Sequence, residues 1–289
     1  MTSTGLLEGG VYLLDKGPGL SSRQAASQVA RAWSIGKFGH GGTLDPEATG
    51  VLLVLLGRAT RLSRFITGQG KRYSFAAVLG AETDSDDATG KVLKRSSRKP
   101  GLTEPSVLEE VLAGFTGSFM QTPPSFSAKR IDGTRAFEAA RKGESLELPQ
   151  KRVSATGWVV EDIAEDRLRL EVTVSSGTYV RALARDIGRA LGSCAHADEI
   201  RRVSVGDFSI EECSPDPDSP RAMLSMAGAM RGFPTVTVSG RSMVSVRHGT
   251  TVPARARGTV AVLDPEGSLL AVGEADGTAV HPICVLRPL

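Results

Sequence analysis

A chain of 289 residues, 40% hydrophobic and 23% charged, carries enough apolar content to bury a core and lacks the bias of a disordered or fibrous protein. Its net charge of +3 excludes an indiscriminate polyanion binder, so any nucleic-acid surface must come from local clusters of Lys and Arg. Three widely spaced cysteines without a C-x-x-C pair exclude a disulfide framework and a cysteine-ligated zinc, and fit a reducing cytosol.

The N-terminus shows no basic segment followed by a long apolar one, so no signal peptide is expected. The longest aliphatic run, Val51 to Leu56, is far too short to span a bilayer, and the expectation is a cytoplasmic protein without membrane contact. "GVYLLDKGPGLSS" reads as a strand ending in a Gly/Pro turn. In "SSRQAASQVARAW", Ala26, Val29, Ala30 and Trp33 recur at helical spacing behind Ser21 or Ser22 as N-cap. A glycine-dense loop, "FGHGGTLDPEATG", leads into "VLLVLL", a strand buried on both faces, and then "ATRLSRFI", a helix. "KRYSFAAVLG" and "VLKR" flank the polar turn "AETDSDDATG" and predict a hairpin.

A helix is expected near 106–115, then a stretch from 117 to 143 holding a strand, a basic loop and a short helix. Strands near 152–162 and 167–175 precede "GTYVRALARDIGRALG", a turn and helix closed by Gly192, and a strand near 200–210. "EECSPDPDSP" reads as a break and "RAMLSMAGAM" as a last helix. From Phe233 onward short strands, "TVTVSGRSMVSVRHG" among them, alternate with Gly-containing turns. Strands and helices without a βαβ rhythm predict an α+β fold, with a mixed, mainly antiparallel sheet flanked by helices. The expected domains are 1–230, with an insertion at about 120–150, and a small β-rich domain at 231–289.

Several signals fail on spacing. "GQGKRY" lacks the leading Gly and the Ser/Thr of a phosphate loop. "DSDDATG" misplaces the glycine of a calcium loop and lacks its closing Glu, so a turn with hydrogen-bonding Asp side chains is the better reading. His40, His196, His248 and His281 show no metal-ligand spacing, and there is no G-x-S-x-G or dinucleotide fingerprint. No metal and no cofactor are expected. Arginine and lysine clusters stand at Arg58/Arg61/Arg64, Lys71/Arg72, Lys94 to Lys99, Lys129/Arg130/Arg135, Lys151/Arg152 and Arg201/Arg202; taken singly, each reads as a solvated face. Asp45 remains as the acidic candidate. Locally it could be an N-cap with Pro46 at N1 of a single helical turn ended by Gly50; chemically it could be a catalytic carboxylate held by the loop.

"GHGGTLDPEATGVL" resembles the signature of the TruB family of pseudouridine synthases, which make pseudouridine 55 in tRNA, and "KRY", "LGAETDSDDATG", "GTYVR" and "GSCAHADEIRR" follow in the family's order. The last strands resemble that family's RNA-binding PUA domain, and "PPSFSAKRIDGTRAFEAARKG" resembles the basic thumb of its stand-alone tRNA enzymes. Two motifs depart from the pattern: Pro18 stands one place late after Asp15-Lys16, and Lys129 one place early with Arg130 in the lysine's position.

The resemblance implies a pseudouridine synthase fold and an Asp45-dependent isomerisation of a flipped T-arm uridine, without cofactor or obligate protein partner, in a monomer. Tyr73 would stack on the uracil and handle the C5 proton, Arg181 would pair with Asp45, and Tyr179 would pack the sugar or base. His40 would fill the gap left by the base, Ile200 would floor the pocket, and Lys16, Lys129, Arg130 and Arg202 would hold the RNA. The alternatives are a tRNA-folding chaperone with catalysis secondary, a guide-RNA-dependent synthase, and a nucleoside glycosidase using Asp45.

Overall fold

A computed structural model describes residues 9–96, 105–126, 130–131, 134–135, 148–164 and 166–286; Lys129 and the short helix expected after it lie outside these. In chain order come β1 (Gly9–Lys16), α1 (Ser22–Ala32), β2 (Phe38–His40), β3 (Thr49–Gly57) and a 3-10 turn (Arg58–Leu62) leading into α2 (Ser63–Ile66). Next are β4 (Lys71–Leu79), β5 (Ala81–Thr83), β6 (Val92–Arg95), α3 (Pro105–Gly114), β7 (Gly117–Gln121), β8 (Arg130–Ile131) and β9 (Thr134–Arg135). β10 (Lys151–Ile163), β11 (Arg167–Val174), α4 (Val180–Ala190), β12 (Ala195–Val205), β13 (Phe208–Ser209) and β14 (Met223–Leu224) follow. The chain closes with β15 (Thr235–Thr237), α5 (Gly240–Arg247), β16 (Val252–Pro253), β17 (Arg257–Leu263), β18 (Leu269–Asp276) and β19 (Ala279–Val285).

Two compact units emerge. The first holds the described residues of Met1–Pro46, Gly50–Gly68 and Gly206–Leu289. Its β1 lies antiparallel between β14 and β3, and β2 pairs with β3. Val51 to Leu56 are at most 1% exposed, as a strand covered on both faces requires. α1 begins at Ser21, whose hydroxyl accepts from the Gln24 amide while Gln24 reaches back to the Ser21 amide, and it buries Ala25, Ala26, Val29 and Ala30.

"RAMLSMAGAM" is not a helix. Met223 and Leu224 pair with Tyr12 and Val11 as β14, between 3-10 turns at Pro220–Ala222 and Gly228–Met230, so β1's open edge claims backbone groups that a helix would have used. The last strands form a sheet ordered β15-β17-β18-β19-β16 around Val246, Val252, Val260, Val262, Leu270 and Val280. Within it "GRSMVSVR" is the helix α5 and not a strand: Met243 and Val246, three apart, reach that core, and Gly249 at φ +75° ends the turn. The Arg58/Arg61/Arg64 cluster is exposed, as expected, and also makes tertiary hydrogen bonds. Arg58 donates to the Leu286 carbonyl (3.2 Å), Arg64 to that of Ile283 (2.9 Å) and Arg61 to that of Val285, capping the edge of β19.

The second unit holds the described residues of Glu47–Thr49 and Gln69–Val205, with strand order β12-β4-β11-β10-β7, all antiparallel. "VLKR" pairs not with β4, as expected, but with β5 in a small separate hairpin, because β4 already has β11 and β12 on its two edges. α4 lies on β12 and β4. A Cβ at Gly188 would stand 2.3 Å from Ala195 Cβ and 2.8 Å from the Ala195 amide nitrogen, so helix and strand touch through that glycine.

Gly188→Ala gains roughly 1 kcal/mol of helix propensity but forces that contact apart at a cost of about 1–3 kcal/mol. The clash wins: calorimetry should show the melting temperature lowered by a few degrees, roughly 2–4 °C for each kcal/mol lost.

Candidate active site

Asp45 stands in the first unit, half-buried, within the loop between β2 and β3. No helical turn follows Pro46, so the capped-turn account of Asp45 fails; the chain bends at Pro46 and Glu47 and enters β3. The backbone on either side of Asp45 is held by buried side chains. The Ser22 hydroxyl, 2% exposed, accepts from the Leu44 amide (2.7 Å) and donates to the Leu44 carbonyl (2.9 Å). The Pro46 carbonyl accepts from Lys16 Nζ (2.7 Å) and from the Gly19 amide (3.0 Å). Lys16 is 1% exposed, and its ammonium also donates to the Gly17 carbonyl (2.8 Å). The proline displaced within "DKGPG" therefore sits in a turn whose amide holds the Asp45 loop. The glycines serve the loop itself: Gly42 and Gly50 take φ +98° and +99°, and a Cβ at Gly41 would press on Leu53 at 3.1 Å. His40, the last residue of β2, is half-buried opposite Val54.

Tyr73, Tyr179, Arg181, Ile200 and Arg202 all fall in the second unit. Tyr73, on β4, faces Arg202 on β12 and Val172 on β11. Arg202 is fully buried, with Nη1 at 3.4 Å from the Tyr73 hydroxyl. Lys71 is 8% exposed and donates to the Gln69 carbonyl at 2.9 Å; burial, with repulsion from Arg202 added, lowers its ammonium to about 8.

β12 bulges twice against β4, between Asp198 and Arg201 and between Arg202 and Ser204. Ile200 occupies the first bulge beside Glu199, which takes φ +49° and is ion-paired to Arg167 and Arg169 of β11. Bulges re-aim side chains next to functional sites, and nothing in "HADEIRR" announces this one.

Arg181 opens α4 and is 6% exposed. Nη1 donates to the Ser85 carbonyl (2.7 Å) and lies 3.5 Å from Asp87 Oδ2; Nη2 donates to the Phe126 carbonyl (3.0 Å). The acidic group beside it within its own unit is thus Asp87, from the "DSDDATG" turn. That turn is closed as expected: Asp87 Oδ1 accepts from the Thr89 amide (3.0 Å) and the Ser85 hydroxyl (2.7 Å), and Asp84 Oδ1 from the Lys91 amide (2.9 Å).

Tyr179, half-buried, has both backbone groups tied to one side chain: its amide donates to Gln121 Oε1 (2.9 Å), and its carbonyl accepts from Gln121 Nε2 (3.1 Å). Arg130 stands in a two-residue strand opposite Arg135. Ser22, Gln121, Ser85 and Asp87 were not among the expected site residues, because each acts on a residue distant in sequence. Among the described residues no three His, Cys, Asp or Glu side chains gather as a metal-ligand set, and no helix is long and apolar enough to cross a membrane.

A family model described as the N-terminal domain of TruB family pseudouridylate synthase matches residues 30–180, and one described as the C-terminal domain of tRNA pseudouridine synthase II matches residues 233–287. The chain is 37% identical over 296 residues to tRNA pseudouridine synthase B of Mycobacteroides abscessus, covering 98% of each. It is 38% identical over 282 residues to the protein of the same name from Xanthomonas campestris pv. campestris, covering 93% of this chain and 91% of the other. Among solved structures, a chain of a Cbf5–Nop10–Gar1 complex superposes with a TM-score of 0.75 at 26% identity, covering 98% of this chain and 86% of that one. A chain of an H/ACA RNP bound to substrate RNA gives 0.73 at 23%, covering 99% and 87%.

Because Lys71 falls from 10.5 to about 8 on folding, unfolding takes up a proton between those values, and this group's contribution to stability rises with pH across that window. Lys71→Met should flatten the rise, which thermal melts of both proteins across the same window would reveal.

Proposed function

The chain belongs to the TruB family of pseudouridine synthases, and from that premise we propose that it isomerises uridine 55 in the T arm of tRNA to pseudouridine. Its fold is the α+β pseudouridine synthase fold, with the mainly antiparallel sheet expected from sequence. The observation that carries the reading is the full-length likeness to enzymes named for this reaction, together with an aspartate in the signature position whose two neighbours are held by buried side chains.

The reaction breaks the N1–C1′ bond, turns the uracil and joins C5 to C1′; the C5 proton leaves, a proton returns at N1, and no redox step or group donor enters. We assign Asp45 as the carboxylate that attacks or deprotonates the target nucleotide. Tyr73 stacks on the uracil, which is worth roughly 1–3 kcal/mol per base, an amount comparable to the few kcal/mol needed to flip the nucleotide out. Arg181 supplies the positive charge that keeps a carboxylate ionised in a closed site. Tyr179, His40 and Ile200 receive the base and sugar. Lys16 and Arg202, expected to hold the RNA, are buried, and we assign them instead to support the Asp45 loop and Tyr73, while Lys129 and Arg130 of the thumb and the PUA-like residues 231–289 contact phosphates and the shape of the T arm. The enzyme works in the cytoplasm, as a monomer.

The likeness to chains from Cbf5 and H/ACA RNP complexes gives one specific reason to keep a guide-RNA-dependent reading beside this one. Incubating the purified chain alone with unmodified tRNA transcript, followed by carbodiimide mapping, separates them: a stop at position 55 supports stand-alone action, and no stop overturns it. Asp45→Asn keeps the side chain's shape and removes its charge. It should fold and bind RNA as the wild type does, while the rate falls at least about 10²-fold. A fully active Asp45→Asn protein would remove the catalytic assignment.

A further inference from the structure

Arg181, Arg185 and Arg189 follow one another at a spacing of four on α4, so they form one stripe along the helix. Each meets the segment from Glu82 on β5 through the turn that follows it. Arg189 grips Glu82 with two parallel bonds (Nε to Oε1 2.9 Å, Nη2 to Oε2 2.6 Å). Arg185, 7% exposed, donates through Nη1 to Asp86 Oδ2 (2.6 Å), through Nε to Asp186 Oδ1 (2.8 Å) and through Nη2 to the Thr122 carbonyl (2.9 Å). Arg181 takes the carbonyls of Ser85 and Phe126. Arg181 and Arg185 therefore bridge the same two segments, 85–87 and 122–126, one helical turn apart.

The segments that hold Arg181 are themselves held by Arg185. Asp86 is 6% exposed and takes φ +59°, a conformation that Asp tolerates better than most residues. Its carbonyl accepts from the Ala197 amide (2.9 Å), and the Ala88 amide donates to the Ala197 carbonyl (3.0 Å), which fastens the turn to β12 as well. A guanidinium only donates, so the two backbone carbonyls that accept from Arg181 help to aim it, and their placement bears on its own.

We propose that Asp86 and Arg185 are positioning residues for Arg181, pinning from one turn along α4 both segments whose carbonyls hold its guanidinium. The inference rests on the reading that Arg181 serves the isomerisation. The charged groups that act on Asp86 are Arg185, Arg181, Asp186 and Arg189 of α4; Asp84 and Asp87 of its own turn accept from the Lys91 and Thr89 amides, and on β12 His196 is engaged with the Ala81 carbonyl. Burial outweighs the arginines and lifts the Asp86 carboxyl to about 6, so below that value the rung to Arg185 loses its charge pair.

The test uses the full chain with Asp86→Asn and Arg185→Lys, thermal melts to confirm folding, single-turnover rates on a T-arm stem-loop, RNA affinity, and guanidinium NMR of Arg181. Both folded variants should bind RNA within about threefold of wild type and react at least about tenfold more slowly. Wild type should lose rate as pH falls through about 6, and Asp86→Asn should lack that limb. Arg181 Nη hydrogens, slow to exchange in wild type, should exchange faster in Arg185→Lys. If wild type is inactive on tRNA, the functional reading fails and the NMR comparison still decides the strut. A folded variant with wild-type rate, or unchanged Arg181 exchange, overturns it; if Asp86→Asn does not fold, Arg185→Lys carries the test.

Discussion

The structure around Asp45 depends on a constraint that does not touch Asp45 itself: the peptide groups of Leu44 and Pro46 are held by the buried polar side chains of Ser22 and Lys16. A loop rich in glycine is conformationally cheap to misplace, since each glycine widens the set of accessible turns. The clamp removes that freedom at the two positions flanking the carboxylate. It works because Ser22 is both the first residue of α1 and almost wholly buried, and because Lys16 ends β1, whose partner β3 is the strand the loop feeds. Helix α1, strands β1 and β3 and the Gly19 turn therefore converge on one short stretch of backbone.

The second unit uses the same economy with charges. Buried guanidinium groups are expensive to desolvate, and removing one partner from such a pair typically costs 3–5 kcal/mol. Arg181, Arg185 and Arg202 are nevertheless all buried, and Arg181 and Arg185 donate to carbonyl and carboxylate acceptors. Bonds to backbone carbonyls and to the Asp86 carboxylate make Arg181 and Arg185 fixed points for the 85–87 turn and the 122–126 segment, and Arg202 meets the Tyr73 hydroxyl. The bulge that carries Ile200 is secured from β11 by Arg167 and Arg169 on Glu199, an ion-pair network that holds a left-handed residue in place.

Much of this was legible from residues alone where the pattern is local and one-sided. Six successive aliphatics identified β3, Ser21 or Ser22 marked the start of α1, and Gly192 the end of α4. Asp45 is singled out only by its signature, because a lone Asp before Pro also reads as a cap. The errors came from long-range competition. Residues 223–224 are a strand only because β1 offers an open edge 211 residues away in sequence, as the pairing of Tyr12 with Met223 shows. "MVSV" alternates like a strand yet lies on a helix, since its core contacts come three apart. Ser22, Gln121 and Asp86 could not be chosen from their own neighbourhoods, because their partners stand 22, 58 and 99 residues away.

The account stands most directly on the claim that clamped backbone aims Asp45. Ser22→Ala leaves the Leu44 amide and carbonyl without their side-chain partner while Asp45 keeps its own chemistry, a loss of about 1–3 kcal/mol. The decisive measurement is the single-turnover rate of the folded Ser22→Ala protein on a T-arm stem-loop at saturating enzyme. The account predicts RNA affinity close to wild type and a rate lowered about tenfold or more; a wild-type rate in that folded variant would contradict it.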